Sequence, residues 1–164
     1  MTYVKHQASR GKWLEDAISI CNMHYEDKGI ALVRKVPTDV SFNTRTGRAF
    51  YKSKGMVDFV GIAKGKMIAF DTKNINAESI PFNNIKDHQE DYLLKVDELG
   101  GQAFFLIYFA KHKELYRLDI KEYMDIKESL DRKSIPYSYF RDMKGSVKSS
   151  DEITFDYLGM CETC

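Results

Sequence analysis

Met56-Val57-Asp58-Phe59-Val60-Gly61-Ile62-Ala63-Lys64-Gly65-Lys66-Met67-Ile68-Ala69-Phe70-Asp71-Thr72-Lys73 is the stretch on which the reading of this chain turns. Two short apolar runs flank Lys64-Gly65-Lys66, which has the composition of a tight turn, so the spacing predicts a β-hairpin. The first run carries one acid, Asp58, and the second closes on Asp71-Thr72-Lys73. Alternate side chains share a face of a strand, so Asp71 and Lys73 point one way and Thr72 the other. Two carboxylates on adjacent strands with a lysine two positions on are what metal-dependent phosphodiester hydrolysis requires. The carboxylates are hard oxygen ligands for Mg²⁺, and the ammonium stands near the attacking oxygen.

Each residue also has a plainer reading. Asp58 could be a strand-edge or turn aspartate, but it interrupts the apolar run Met56–Ile62, where an unpaired carboxylate is costly. A bound cation removes that cost. Asp71 and Lys73 could be a surface salt bridge, which is common and contributes little. A lone D-x-K occurs by chance in many proteins; preceded by an acid on the neighbouring strand it becomes more specific. The expected roles are Asp58 and Asp71 as ligands of Mg²⁺, with the Thr72 main-chain carbonyl as a further oxygen. Lys73 stabilises the attacking hydroxide and the charge developing on phosphorus.

Outward from the hairpin, Trp13, Leu14, Ala17, Ile18, Cys21 and Tyr25 recur at helical spacing, so Lys12–Tyr25 is an expected amphipathic helix ended by Gly29. Glu15, beside Asp16, is either an ordinary solvated carboxylate or, lying near the stripe boundary, one that reaches the site through a metal or a water. Residues 1–9 read as a flexible arm, and Arg10 after them as an expected DNA contact. Ile30–Val36 is an expected strand, stopped by Pro37-Thr38. Residues 74–84 are a connector holding Pro81. Ile85–Gly100 is an expected helix, and Gly100-Gly101 terminates it. His88 and Gln89 lie near its start. A histidine there is more often packed than catalytic; the glutamine could orient a water or hold Lys73. Gln102–Phe109 is nearly continuous apolar sequence, the mark of a strand buried on both faces. Glu114–Leu118 reads as a strand and Ile120–Leu130 as a short helix, while signals weaken from Ser134 onward. The order is that of an α/β fold, a small mixed sheet covered by helices.

Asp39–Lys54 is the most basic segment. Arg45, Arg48, Lys52 and Lys54 alternate with Phe42, Phe50 and Tyr51. Cations neutralise phosphates and aromatic rings stack on exposed bases, so a DNA-contacting loop or extended arm is expected over residues 39–54; the plainer reading is a solvated loop with aromatic anchors.

Composition sets bounds on these readings. With 164 residues, 43% hydrophobic and 30% charged, the chain has the make-up of one soluble globular domain with a core of its own. The net charge of +1 shows no global basic excess, which weighs mildly against a nucleic-acid protein, although clustering matters more than the sum. No apolar run is long enough to span a membrane and the polar N-terminus is no secretory signal, so the expected location is the cytoplasm. Cys21, Cys161 and Cys164 form no disulfide framework, and the terminal C-x-x-C lacks a second ligand pair for zinc.

Taken together, several blocks resemble the RecU-type Holliday junction resolvases, members of the PD-(D/E)xK nuclease superfamily found in Gram-positive bacteria and phages. Arg10-Gly11 with Leu14-Glu15 and Asn22 is similar to that family's first helix motif. Lys35-Val36-Pro37-Thr38 is similar to its K-x-P-T turn, and Ala49-Phe50-Tyr51 stands near its A-Y-F. Asp58, Gly61, Lys64-Gly65-Lys66 and Asp71-Thr72-Lys73 follow its carboxylate block. Pro81-Phe82-Asn83-Asn84, His88-Gln89 and Arg132-Lys133-Ser134-Ile135-Pro136-Tyr137 continue the match over nearly the whole chain.

The resemblance implies a restriction-endonuclease-like fold. Asp58, Asp71 and Lys73 would be the metal-binding and catalytic set, with Glu15 a further acid and Gln89 at or near the site. It also implies a homodimer, using Mg²⁺ or Mn²⁺ to cut two opposed strands of a four-way junction and leave 5′-phosphate and 3′-hydroxyl ends. A recombinase or a branch-migration helicase would be a partner. The chain departs from the family in carrying Asp71 where glutamate is usual, Met56-Val57 where threonines stand, and a shorter segment between Pro37 and Asp58. Two other readings remain: a less selective nuclease of the same fold acting on duplex, flap or single-stranded DNA, and a non-catalytic DNA-binding recombination partner.

Overall fold

A computed structural model describes residues 3–37, 40–43, 45–46, 48–51, 56–129, 131–150 and 152–159, with the backbone path alone for 3–10, 40–43 and 48–51. The predicted hairpin is present. Strand β4 (Phe59–Ala63) and strand β5 (Lys66–Ile75) pair antiparallel, from Phe59 opposite Phe70 to Ala63 opposite Lys66. They are joined by Lys64 and Gly65, both at positive φ (49° and 76°). That is a type I′ turn, whose twist matches the flanking strands. The fold adds one strand before this hairpin and two after it: β1 (Ala31–Lys35), β7 (Gln102–Phe109) and β8 (Glu114–Asp119). The five lie in the order β1-β4-β5-β7-β8, antiparallel throughout except for the parallel pair β5–β7.

A parallel neighbour requires a crossover. Here it runs through the short strand β6 (Ser79–Pro81), a 3-10 turn (Phe82–Asn84) and helix α2 (Asp87–Glu98). Two more helices, α3 (Ile120–Ser129) and α4 (Tyr137–Met143), pack with α2 on one face of the sheet, where Leu93, Val96, Tyr123, Ile126 and Phe140 meet Ala69, Phe105 and Ile107. The other face carries helix α1 (Tyr3–Asp27), whose Leu14, Ile18, Cys21 and Tyr25 lie over Phe59, Phe70, Phe104 and Leu106. Phe59, Phe70 and Phe104 stack across three adjacent strands at 5.0 and 4.9 Å between centroids. Strand β7 is therefore buried on both faces, which is why its sequence is apolar without alternation. This is a mixed sheet flanked by helices, of the restriction-endonuclease-like class.

The differences from expectation are local. Helix α1 begins at Tyr3 and takes in most of the segment expected to be an arm. The basic segment is an antiparallel hairpin, strand β2 (Val40–Asn43) with strand β3 (Arg48–Tyr51), where an irregular loop was the alternative. β-Branched and aromatic residues on both sides of the turn favour that outcome. The connector before α2 holds strand β6, which pairs with strand β9 (Ser134–Pro136) from far along the chain. The C-terminal segment, weak in sequence, is tied to α1: the Tyr25 hydroxyl donates to Asp156 Oδ1 (2.7 Å) and the Tyr157 hydroxyl to Asn22 Oδ1 (2.6 Å). Gly61 is there for want of space, since a Cβ at that position would lie 2.2 Å from the Leu32 carbonyl oxygen of β1. Among the described residues no helix is long and apolar enough to cross a membrane. Cys161 and Cys164 lie outside the described residues.

Candidate active site

Asp58 lies one residue before β4, not inside it. Its main chain is held by β1, through Val36 N–H donating to the Asp58 carbonyl at 2.8 Å. Its side chain is held by β5. Oδ2 accepts from the Thr72 main-chain N–H (2.8 Å) and the Thr72 hydroxyl (2.7 Å). These donors offset the cost of a carboxylate at the end of an apolar strand. Thr72 points away from Asp71 and Lys73 as the strand period predicts, yet it meets Asp58 because Asp58 lies beyond the last ladder pair.

Asp71 follows Phe70, the partner of Phe59, so the register sets it beside Asp58. It is 1% exposed. Oδ1 accepts from Gln89 Nε2 at 2.7 Å. Oδ2 lies 2.6 Å from Lys73 Nζ, an ion pair by distance, but the angles are not those of a hydrogen bond and the buried oxygen is left without one. Burial, and then the nearby Asp58 charge, push the Asp71 carboxyl up to about 7 against the pull of Lys73. Glu15 adds in the same upward direction. This is a desolvated acid facing other acids, the combination that marks functional sites.

Lys73 Nζ also donates to Gln89 Oε1 (3.1 Å), and that oxygen accepts a second bond from the Lys86 main-chain N–H (3.1 Å) at the start of α2. The amide is thereby oriented, with oxygen toward the donors and nitrogen toward the carboxylate. Gln89 ties the crossover helix to both key residues of β5. Glu15, on α1, stands at the rim: its Oε2 is 2.5 Å from Lys35 Nζ at the end of β1. That contact is the main cause of the raised Lys35 pKa, with Asp16 and Asp58 adding to it.

Asp58, Asp71, Lys73 and Gln89 are thus brought together, and Glu15 is brought to the edge. His88, next to Gln89, makes no hydrogen bond to this group among the described residues. Lys35 and the double role of Thr72 were missed as site residues. Lys35 showed itself only inside the K-x-P-T block, and a threonine on a strand is ordinary. Of the expected DNA contacts, Arg10 lies on α1, Arg45 is exposed in the β2–β3 turn, and Arg48, Phe50 and Tyr51 lie on β3; Lys52 and Lys54 fall outside the described residues. Among the described residues no three His, Cys, Asp or Glu side chains gather closely enough to hold an ion by themselves. The donor set nevertheless fits a hard divalent cation that keeps some of its water, because Asp71 Oδ2 is buried and lacks a hydrogen bond.

A helix-flanked mixed sheet with an acid before one central strand and an Asp-x-Lys near the end of the next defines the class: a protein with the restriction-endonuclease-like core and a PD-(D/E)xK-type site. Residues 9–163 match the family model described as Recombination protein U. The chain belongs to the RecU family. "Holliday junction resolvase RecU" from Oceanobacillus iheyensis is 34% identical over 92% of this chain and 84% of its own length. The proteins of the same name from Pediococcus pentosaceus and Shouchella clausii are each 32% identical, over 81% and 92% of this chain and 73% and 78% of their own lengths.

Proposed function

We propose that this chain is a structure-selective DNA endonuclease that resolves four-way junctions by hydrolysing phosphodiesters at Asp58, Asp71 and Lys73. The observation that carries the reading is the Asp71–Gln89–Lys73 network set beside Asp58 at one end of the sheet, in a chain of the RecU family. Asp58 and Asp71 would hold the divalent cation, Mg²⁺ first and Mn²⁺ second, with Glu15 contributing from the rim through solvent. When bound, the cation supplies charge neutralisation at the phosphoryl group.

The protein's own residues do the rest. Lys73 presents its ammonium where negative charge develops on the attacking oxygen and on phosphorus. Gln89 fixes the Lys73 ammonium and the Asp71 carboxylate relative to each other, so neither needs reorganisation during the reaction. Thr72 holds Asp58 by two hydrogen bonds and keeps one carboxylate oxygen engaged while the other remains for a ligand. Arg10, Arg45, Arg48, Phe50 and Tyr51, with Lys52 and Lys54, would contact the DNA. A homodimer matches the two-fold symmetry of a four-way junction, and each protomer would cut one of two opposed strands. A recombinase or a branch-migration helicase in the cytoplasm would act with it.

The test is cleavage of a labelled four-way junction with Mg²⁺, beside linear duplex and flap substrates of matched sequence and an Asp71→Asn control. Paired symmetric nicks in the junction alone, abolished by the substitution, support the reading. Equal cutting of all three DNAs would keep the site and replace junction resolution with a broader nuclease activity. Binding without any cutting would leave a recombination partner that acts as a scaffold.

A further inference from the structure

Helical spacing predicts Trp13 in the core, on one stripe with Leu14, Ile18 and Cys21. The structure separates them. Leu14 and Ile18 are fully buried, whereas Trp13, the chain's single tryptophan, is 48% exposed. The other large apolar side chains exposed among the described residues are all aliphatic. The indole is not loose: it rests on the Tyr108 ring at 5.1 Å between centroids, tilted by 51°, and Tyr108 is backed by Phe155 at 6.1 Å.

This small aromatic shelf stands at the catalytic end of the sheet. Tyr108 lies on β7 opposite Asn74 of β5, the residue after Lys73. By the strand period Tyr108 and Asn74 lie on the face that α1 covers, opposite Asp71 and Lys73, so the indole flanks the site from the α1 side at the end of β5. Glu15, two residues on, leaves the other side of the same helix, where it meets Lys35. The neighbouring cation is Lys12, exposed and next to Trp13 on α1. A rigid ring with an open surface, backed by a second ring and beside a lysine, has the make-up of a base-stacking platform in nucleic-acid binding.

We propose that Trp13, seated on Tyr108, stacks on a nucleobase left without a stacking neighbour at the branch point, on the α1 side of the phosphodiester that is cut. The proposal rests on the nuclease reading above and names a contact which that reading does not contain. Lys12 and the phosphodiester site at the end of β5 favour a nucleobase over an apolar peptide as the occupant, because the strand that supplies the base also supplies a phosphate for Lys12. The open centre of a four-way junction exposes base faces that have lost a stacking neighbour, and an intact linear duplex has none along its length. Trp13 would thereby favour branched over linear substrate without touching the reacting atoms.

The single tryptophan makes the test direct. In EDTA, where binding proceeds without cutting, titration with a four-way junction should quench the intrinsic tryptophan fluorescence, and matched linear duplex should do so far less. Trp13→Ala should weaken junction binding by about 5- to 100-fold, the range for losing one base–aromatic stack. Trp13→Phe should recover most of it, and cleavage at saturating junction should stay within about twofold of wild type. An abasic nucleotide at the branch point should weaken wild type as much as Trp13→Ala does and add nothing to that variant, which a purely structural role would not produce. Unchanged fluorescence on a junction that is bound and cut, or additive effects of the abasic site and Trp13→Ala, would overturn the proposal while leaving the nuclease intact. A wild type that neither binds nor cuts the junction would overturn the nuclease reading first.

Discussion

Gln89 and Glu90 are neighbours on α2 and reach two different buried carboxylates, one by contact and one by identity. Glu90 is itself buried between α2 and α3, and both its oxygens are satisfied. Oε1 accepts from the Tyr123 hydroxyl (2.7 Å) and Lys127 Nζ (2.8 Å), and Oε2 from Lys127 Nζ (2.7 Å). Asp71, which Gln89 touches, is buried more deeply and is left incomplete, with one oxygen lacking a hydrogen bond and two other acids nearby. Each carboxylate has a lysine beside it. The difference is that Glu90 is enclosed by donors, whereas Asp71 faces Asp58 and Glu15 and keeps one oxygen without a hydrogen bond. One joins helices; the other has the make-up of the proposed cation ligand.

The largest separation should come from removing the charge of each. Asp71→Asn should lower junction cleavage by at least about 10³-fold, while the metal-free melting temperature holds or rises. Glu90→Ala should do the reverse. It leaves a buried hydroxyl and a half-buried ammonium without an acceptor, and should cost about 2–3 kcal/mol of stability by denaturant titration. Cleavage per folded molecule should be unchanged. If Asp71→Asn destabilises as strongly as Glu90→Ala, the contrast between the two sites fails.

Gln89→Ala tests the link between them. It frees the Lys73 ammonium and the Asp71 carboxylate to drift, so the cleavage rate at saturating DNA should fall by about tenfold or more, with the KM little changed. A loss confined to KM would make Gln89 a DNA contact instead.

The smallest effect is one of pH. The folded Asp71 carboxyl titrates near 7 and its unperturbed value is 3.8, so the folded state holds this proton more tightly than the unfolded chain. Its contribution to stability is full below 3.8 and is lost as pH rises through 7. Without divalent ions, lowering the pH from about 7.5 to 6 should raise wild-type stability relative to Asp71→Asn by about 1 kcal/mol. The comparison with the variant is needed because exposed paired acids such as Glu26 and Glu78 are shifted down and act in the opposite direction. Saturating Mg²⁺ should erase the difference.

Much of this was legible in the amino-acid order because it rests on local physics. The hairpin from Phe59 to Ile75 follows from two apolar runs around Lys64-Gly65, and the same-face placement of Asp71 and Lys73 follows from the strand period. Strand β7 is marked by an unbroken apolar run, and α2 by its stripe and by Gly100, which sits at φ 87° past its end. What was not legible depends on partners remote in sequence. Strand β6 exists because β9, more than fifty residues on, pairs with it, and the segment around Tyr157 is ordered by Tyr25 and Asn22 of α1. Neither segment carries enough local pattern to show this.

The sequence by itself determined most of the element types, the spacing that sets Asp58 against Asp71-x-Lys73 across the hairpin, and the family, since each depends on residue order and spacing. Only the tertiary structure decided that Gln89 clamps both Asp71 and Lys73, that Lys35 engages Glu15, that Thr72 holds Asp58, and that Trp13 faces outward. These depend on where the crossover helix, the edge strand and α1 come to rest against the end of the sheet. Packing of the two faces sets those positions, and no spacing along the chain records them.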